Sequence, residues 1–430
     1  MGLHVIDEAK RCLNCKKPRC QEGCPIHTPI PVMIQMLLQG EMPEAAEMVF
    51  ANNPLSVICS LVCDHEKQCE GHCVKGIKGE PVHISSIENY ISDTCFDRMK
   101  LEQLPKNGKR IAVVGAGPAG ITIAILMACR GYKVTIFEVK EKIGGIMRYG
   151  IPEFRLPKSI LDRYYVKMKE LGILFRPNFA LGGSTGVEDL LRDGYHAVFI
   201  GTGTWRPYQL HIPGETFGNV HYGINYLNNP DVYDLGERVL VIGAGNAAMD
   251  VARTAIRKGS RHVTVYSITE IPAASPKEVE YAKLDGVEFE YLQTAIEIRD
   301  EGAIICDVEW TEDGKLVKKE ETARLVPADS IIISISQGPQ DRIVNRDKEL
   351  QVDDRGLLKT DANGETTMPG IFASGDVVTG AKTVVEAVKY SKMIADAMDE
   401  YVKHIMNRNT GWCSLQNISL YFFYSKIKSI

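Results

Sequence analysis

The chain has 430 residues, 44% apolar and 24% charged, with a formal net charge of -5. This balance predicts a folded protein of two or three domains, and it excludes a disordered chain and a general binder of nucleic-acid backbones. No apolar run approaches the roughly 18 residues of a membrane helix. The opening "MGLHVIDEAKRC" lacks an export signal, so a cytoplasmic, reducing environment with free thiols and no membrane partner is expected.

Residues 1–105 read as a helical domain. "IPVMIQMLLQGEMPEAAEMVF" carries apolar residues at helical spacing, with Pro31 suited to a first turn, and no convincing strand accompanies it. Eight of the 12 cysteines lie within the first 73 residues. Four form C-x2-C-x4-C-x3-C-P at Cys12, Cys15, Cys20 and Cys24; a second set is Cys63-x5-Cys69-x3-Cys73. Soft thiolates suit zinc, copper or iron–sulfur clusters. A structural zinc site usually has two close C-x2-C pairs, and only Cys12 and Cys15 make one. A compact run ending in C-P is the arrangement in which the last cysteine turns to a second cluster. Iron–sulfur chemistry is favoured, with zinc and a disulfide scaffold as the alternatives.

From Lys109 the texture becomes strand, glycine turn, helix and strand: "KRIAVVGAGPAGITIAILMACRGYKVTIFE". Its G-A-G-P-A-G run comprises Gly115, Gly117, Pro118, Ala119 and Gly120, whose glycines suit a tight turn, close backbone approach to a pyrophosphate, and helix–strand contact. Glu138 closes the second strand 23 residues after Gly115, placed to accept hydrogen bonds from an adenosine ribose. A matching unit, "ERVLVIGAGNAAMDVARTAIRKGSRHVTVY", begins at Glu237 with Gly243, Gly245, Asn246, Ala247 and Ala248. Its second strand ends without an acid. Two such units have a simple use, one holding a flavin and the other delivering a nicotinamide to it.

Shorter strands are expected in "HAVFIGTG", "VEFEYL", "SIIISISQG" and "GIFASGD", and the polar "NNPDVYDLGE" makes a domain boundary. In "GIFASGDVVTGAKTVVEA", Gly375 and Asp376 follow a strand, and a helix beginning near Ala381 to Thr383 points its positive end at the same place. That helix is expected to run to about Lys403. The predicted fold class is α/β: an N-terminal helical iron–sulfur domain, then two Rossmann-like domains, the second inserted in the first. The boundaries are 1–105, then 106–235 with 360–406 for FAD, 236–359 for NAD(P)H, and a tail of unknown role at 407–430.

Taken together, "CLNCKKPRCQEGCP", "CDHEKQCEGHC", "VVGAGPAG", "GGIMRYGIPEFRLPK", "VIGAGNAAMDVAR" and "GIFASGDVVTGAKTVVEA" resemble the small (β) subunit of bacterial glutamate synthase and its relatives, including the N-terminal part of dihydropyrimidine dehydrogenase. The resemblance spans residues 11 to about 403. It implies two [4Fe-4S] clusters, one on Cys12, Cys15, Cys20 and Cys73, the other on Cys24, Cys63, Cys69 and the non-cysteine ligand Glu88. Cys59, Cys95, Cys129, Cys306 and Cys413 are then spare. It also implies FAD lying along a loop containing Gly144 and Gly145, with Arg148 or Arg155 near its phosphates, and no catalytic side chain, because hydride transfer needs only positioning of the two cofactors.

The resemblance further implies an electron-input subunit that oxidises NADPH and serves a larger, glutamate synthase alpha-like subunit; a ferredoxin-type acceptor in a bifurcating or other complex is the alternative. One departure stands out. Where the family carries paired arginines for the NADP 2′-phosphate, this chain has "VYSITEIPAAS", with Ser267 and Ile268 at those places, so NADH is as open as NADPH unless Arg253, Arg257, Lys258 or Arg261 compensates. Disulfide reductase chemistry is disfavoured because the inserted domain has no C-x-x-C pair. A non-catalytic relay or docking subunit with a decayed second nucleotide site is the remaining competitor.

Overall fold

A computed structural model describes residues 2–410; the expectations for most of the tail, and for Cys413, fall outside the described residues. The first hundred residues are helical, as expected from their periodicity. Helix Ile30–Gln39 starts with Pro31 in its first turn, where the missing N–H is no loss, and ends at Gly40, whose φ of +85° closes a left-handed cap. Further helices span Met42–Asn52, Ser56–Val62 and Ile84–Phe96. Among the described residues, no single helix is long and apolar enough to cross a membrane.

The strands follow in chain order: β1 (Arg110–Val114), β2 (Lys133–Phe137), β3 (Leu174–Arg176), β4 (Ala197–Ile200), β5 (Arg206–Pro207), β6 (Val220–Tyr222), β7 (Arg238–Ile242), β8 (His262–Ser267), β9 (Glu288–Tyr291), β10 (Gln293–Arg299), β11 (Gly302–Trp310), β12 (Leu316–Pro327), β13 (Ser330–Ile333), β14 (Gln337–Gly338) and β15 (Ile371–Ala373). One parallel sheet has the order β15-β4-β1-β2-β3 and the other β6-β13-β7-β8-β9. Both place the glycine-turn strand at the centre. Their buried strands are nearly continuous apolar runs, as in sheets covered on both faces. The flavin-type sheet is completed by β15 from the far end of the chain, which is the expected insertion.

Sheet membership moves the crossing points. The chain leaves the first sheet through β5 and returns through β14, which pair antiparallel with each other. β6 already belongs to the second sheet although it precedes the anticipated boundary at 235, and Leu350 and Leu358 pack with Ile371 in the first domain although they precede 360. The sequence reading also omitted the antiparallel sheet β10-β11-β12. β12 reads "LVKKEETARLVP", with no buried residue along it, so its charge masks the strand pattern. The last helix is Val384–Thr410, starting after Ala381 and passing beyond both Lys403 and the predicted tail boundary. Thr383 sets the start, because its hydroxyl accepts the Glu386 N–H at 3.4 Å while the Glu386 carboxylate accepts the Thr383 N–H at 3.1 Å.

The helical domain and the first dinucleotide domain share one apolar core, in which Phe96 packs on Tyr164 with ring centroids 4.5 Å apart. The Lys392 ammonium adds a polar tie, donating to the carbonyl of Asn52 at 2.7 Å. The thiol-rich segment is thereby fixed against the domain that carries the first glycine turn.

Candidate cofactor and cluster sites

In the first unit, Gly115 has a φ of +101°, and a Cβ there would lie 2.5 Å from the carbonyl of Gly201. A Cβ on Gly120 would lie 1.9 Å from the Gly115 carbonyl, which is why the helix Pro118–Cys129 can sit so close to β1. Gly117 caps that helix, and Gly145, at φ +50°, approaches so closely that its Cβ would be 2.7 Å from the Gly117 Cα. Gly144 donates its N–H to the Ala116 carbonyl at 2.8 Å. The predicted loop is therefore clamped on the glycine turn by backbone alone.

Gly115, Gly117, Gly145 and Gly201 border a cleft of about 630 Å³ that also receives Glu138, Gly375, Asp376 and Thr383, while Gly120 and Gly144 stand behind its lining. Glu138 is buried; its carboxylate accepts the Ala116 N–H at 2.6 Å and the Lys140 N–H at 2.8 Å. Burial pushes its pKa up, with those two bonds opposing the shift. Asp376 accepts the Lys382 N–H at 3.1 Å, and burial, opposed by that bond, raises its carboxyl to about 6. The cleft combines apolar side chains such as Val114, Phe137 and Ile146, backbone at glycines, an acid at the strand end and two helix N-termini, and those features fit FAD. Sequence reading missed Lys140, Arg342 and Lys382, cations at the cleft, and Trp205 on its wall; the "GTG" after β4 was the available signal.

Arg148 is engaged away from the cleft. Its guanidinium donates to the Ile143 carbonyl at 2.7 Å and to Asp162 at 2.6 Å, and it does not border the cleft. Arg155 also serves another purpose, bridging to Asp250 at 2.7 Å and Glu278 at 3.0 Å in the second unit.

The second glycine turn repeats the first. Gly243 has a φ of +117°, and its Cβ would lie 2.3 Å from the Ser334 carbonyl. Gly245 caps the helix Asn246–Arg257, Ala248 is fully buried against the sheet, and Ala247 is exposed. The Asn246 side-chain oxygen accepts the Ser275 N–H at 2.9 Å and so ties the turn to the next helix.

The cysteines gather into the two predicted groups. Cys12, Cys15, Cys20 and Cys73 surround one small apolar gap beside Ile30 and Ile34. Burial, then the neighbouring Cys73 charge, raises the Cys20 thiol to about 11. In the second group Cys69 is raised by burial and then by Glu88, with Cys24 also contributing; Cys63 is raised by the interaction of its S–H with the neighbouring Cys59 sulfur and then by burial, with Glu88 and Cys69 adding to it. Glu88 lies buried on the helix Ile84–Phe96, and burial alone lifts its carboxyl to about 7. Among the described residues, no three His, Cys, Asp or Glu side chains converge tightly enough for a single metal ion. Looser grouping is what ligands to separate corners of an iron–sulfur cage require, and a cage would neutralise these crowded acids, so both groups fit clusters. Cys59 is buried beside this group, its carbonyl accepting the Cys63 N–H at 3.0 Å.

A family model described as dihydropyrimidine dehydrogenase domain II, 4Fe-4S cluster, matches residues 2–100, and one described as pyridine nucleotide-disulphide oxidoreductase matches residues 109–391. A glutamate synthase [NADPH] small chain of Halomonas elongata is 33% identical, over 92% of this chain and 90% of that one. The Escherichia coli K12 protein of the same name is 32% identical, over 92% and 91%. Among solved structures, FprA of Mycobacterium tuberculosis superposes with a TM-score of 0.61 at 18% identity, covering 71% of this chain and 86% of that one, which establishes the shared fold. With an iron–sulfur domain joined to a pyridine-nucleotide oxidoreductase domain, and with relatives matched over nearly their full length, the chain belongs to the glutamate synthase small-chain family.

Proposed function

We propose that this chain is the electron-input subunit of a larger enzyme, oxidising NAD(P)H and delivering electrons through FAD and two [4Fe-4S] clusters to a glutamate synthase large-chain-like partner. When bound, FAD accepts two electrons as hydride and releases them singly, and iron–sulfur clusters carry them one at a time. The observation that carries the reading is the shared core of the helical domain and the first dinucleotide domain, which fixes the thiol groups against the domain holding the cleft.

The chain's own residues position rather than react. In this reading Glu138 accepts hydrogen bonds from the adenosine ribose, and the backbone at Gly115, Gly117 and Gly145 admits the pyrophosphate. Asp376 holds an oxygen of the chain linking ring to phosphate, and the helix start at Thr383 faces the ring's negative end. Cys12, Cys15, Cys20 and Cys73 hold one cluster; Cys24, Cys63, Cys69 and Glu88 hold the other. The abundance of unbridged thiols suits a cytoplasmic location.

The test is anaerobic titration of the purified holoprotein with NADH and with NADPH, following flavin and cluster absorbance together with iron and sulfide content. Bleaching of flavin followed by cluster reduction is expected, with about eight irons per chain from two four-iron cages. Stoichiometric zinc, or a flavin that neither nucleotide reduces, would sink the reading.

A further inference from the structure

We infer that this chain takes NADH in preference to NADPH, an inference that rests on the second dinucleotide unit being the nicotinamide site. Backbone register identifies the deciding position. In the first unit the Gly115 N–H donates to the carbonyl of Phe137 at 2.8 Å, and the next residue is Glu138; in the second the Gly243 N–H donates to the carbonyl of Tyr266 at 3.0 Å, and the next residue is Ser267. This is the place beside the adenosine ribose, where an acid binds the 2′-hydroxyl of NAD and a nearby arginine accommodates the 2′-phosphate of NADP.

Ser267 supplies no positive charge. It is buried, its hydroxyl donating to the Thr269 carbonyl at 2.9 Å and accepting the Thr269 N–H at 3.2 Å, so it shapes the turn that follows β8. That turn continues through Ile268, Thr269 and Glu270, and the one charge it exposes is negative.

The cations of the adjoining helix and strand each already face a carboxylate, and Arg253 is buried against two. Arg253 is held by Asp285 at 2.9 Å and Glu278 at 3.1 Å, and Arg257 by Asp285 at 3.0 Å. Lys258 pairs with Asp231, and Arg261 with Glu237. Arg324, whose charge reaches Tyr266, hydrogen-bonds Gln293 at 2.9 Å and faces Asp307. A 2′-phosphate would therefore arrive beside Glu270 and would have to draw a guanidinium away from the carboxylate it already faces, whereas a 2′-hydroxyl carries no charge to neutralise.

The experiment is stopped-flow anaerobic reduction of the flavin in the holoprotein by each nucleotide. The kcat/KM for NADH is expected to exceed that for NADPH by about 10- to 100-fold, the worth of a lost charge-assisted hydrogen bond. In competition with NADH, 5′-AMP is expected to displace it at least as well as 2′,5′-ADP. Replacing two exposed residues, Ile268→Arg with Glu270→Arg, is expected to raise NADPH efficiency about tenfold by restoring a phosphate partner. Equal use of the nucleotides, an NADPH preference, or tighter binding of 2′,5′-ADP by the wild-type protein overturns the inference while leaving the proposed function intact. Reduction by neither nucleotide overturns both.

Discussion

Glu138 and Ser267 occupy the same register in two copies of one supersecondary unit, yet one is a buried acid facing a large cleft and the other a hydroxyl consumed by its own turn. The glycines around them are nearly superimposable in role: Gly115 and Gly243 both take positive φ, and both leave no room for a Cβ. Steric demands thus conserve the backbone of a nucleotide turn, while a single side chain after the second strand adapts it to one ligand or another. The two units are also joined, because Arg155 from the loop clamped on the first glycine turn reaches the acids of the second.

The largest expected effect comes from the paired glycines. Gly115→Ala and Gly243→Ala each force strained backbone and a clash with a carbonyl, costing about 2–4 kcal/mol of stability. Their functional outcomes should diverge: Gly115→Ala should purify without yellow colour, whereas Gly243→Ala should keep its flavin and resist bleaching by either nucleotide. Loss of flavin from both variants would break the assignment of separate roles.

The next effect concerns the joint. Arg155→Ala should destabilise the protein by about 3 kcal/mol in urea unfolding, because it leaves buried Asp250 without its hydrogen-bonded cation. Asp250 supplies the matching pH dependence. Burial, opposed by Arg155 and assisted by Glu278, pushes its carboxyl to about 7. A folded pKa above the unfolded value of about 3.9 means that this group's contribution is fully present below that value and is lost as pH rises towards 7. Asp250→Asn should therefore flatten the stability profile between about pH 4 and 7, as measured by unfolding midpoints across that range. An unchanged slope would assign the dependence elsewhere.

The smallest effect sharpens the comparison directly. Glu138→Gln leaves one oxygen to accept two backbone N–H groups, so flavin affinity should fall by about tenfold, read from the dissociation constant. Ser267→Ala should cost about 1 kcal/mol through its turn and leave flavin content unchanged. Equal effects of the two changes on flavin binding would contradict their different surroundings.

Much of the site was legible because its residues act through local geometry. Glycine turns, a strand-end acid and closely spaced cysteines are constraints on neighbouring backbone, and they appear in the chain at fixed spacing. The place of Arg148 was not legible for the complementary reason: an arginine beside a cofactor loop looks the same in the chain whether it faces a phosphate or pairs, as it does, with Asp162 from the next helix. Arg342 was missed because only the closed fold brings it to the cleft, whereas Lys140 and Lys382 adjoin Glu138 and Thr383 in the chain but carry no spacing signature of their own. The charged strand β12 was missed because its stability comes from pairing with β11 rather than from a buried face of its own.

By itself, then, the sequence determined the two nucleotide turns, the helical thiol-rich opening and the insertion of one domain in another, since each is written in short-range periodicity and in the sterics of glycine. Tertiary structure decided where the chain crosses between sheets and which cations already face a carboxylate. Those outcomes depend on contacts between residues far apart in the chain, where burial and pairing set the charge each side chain presents.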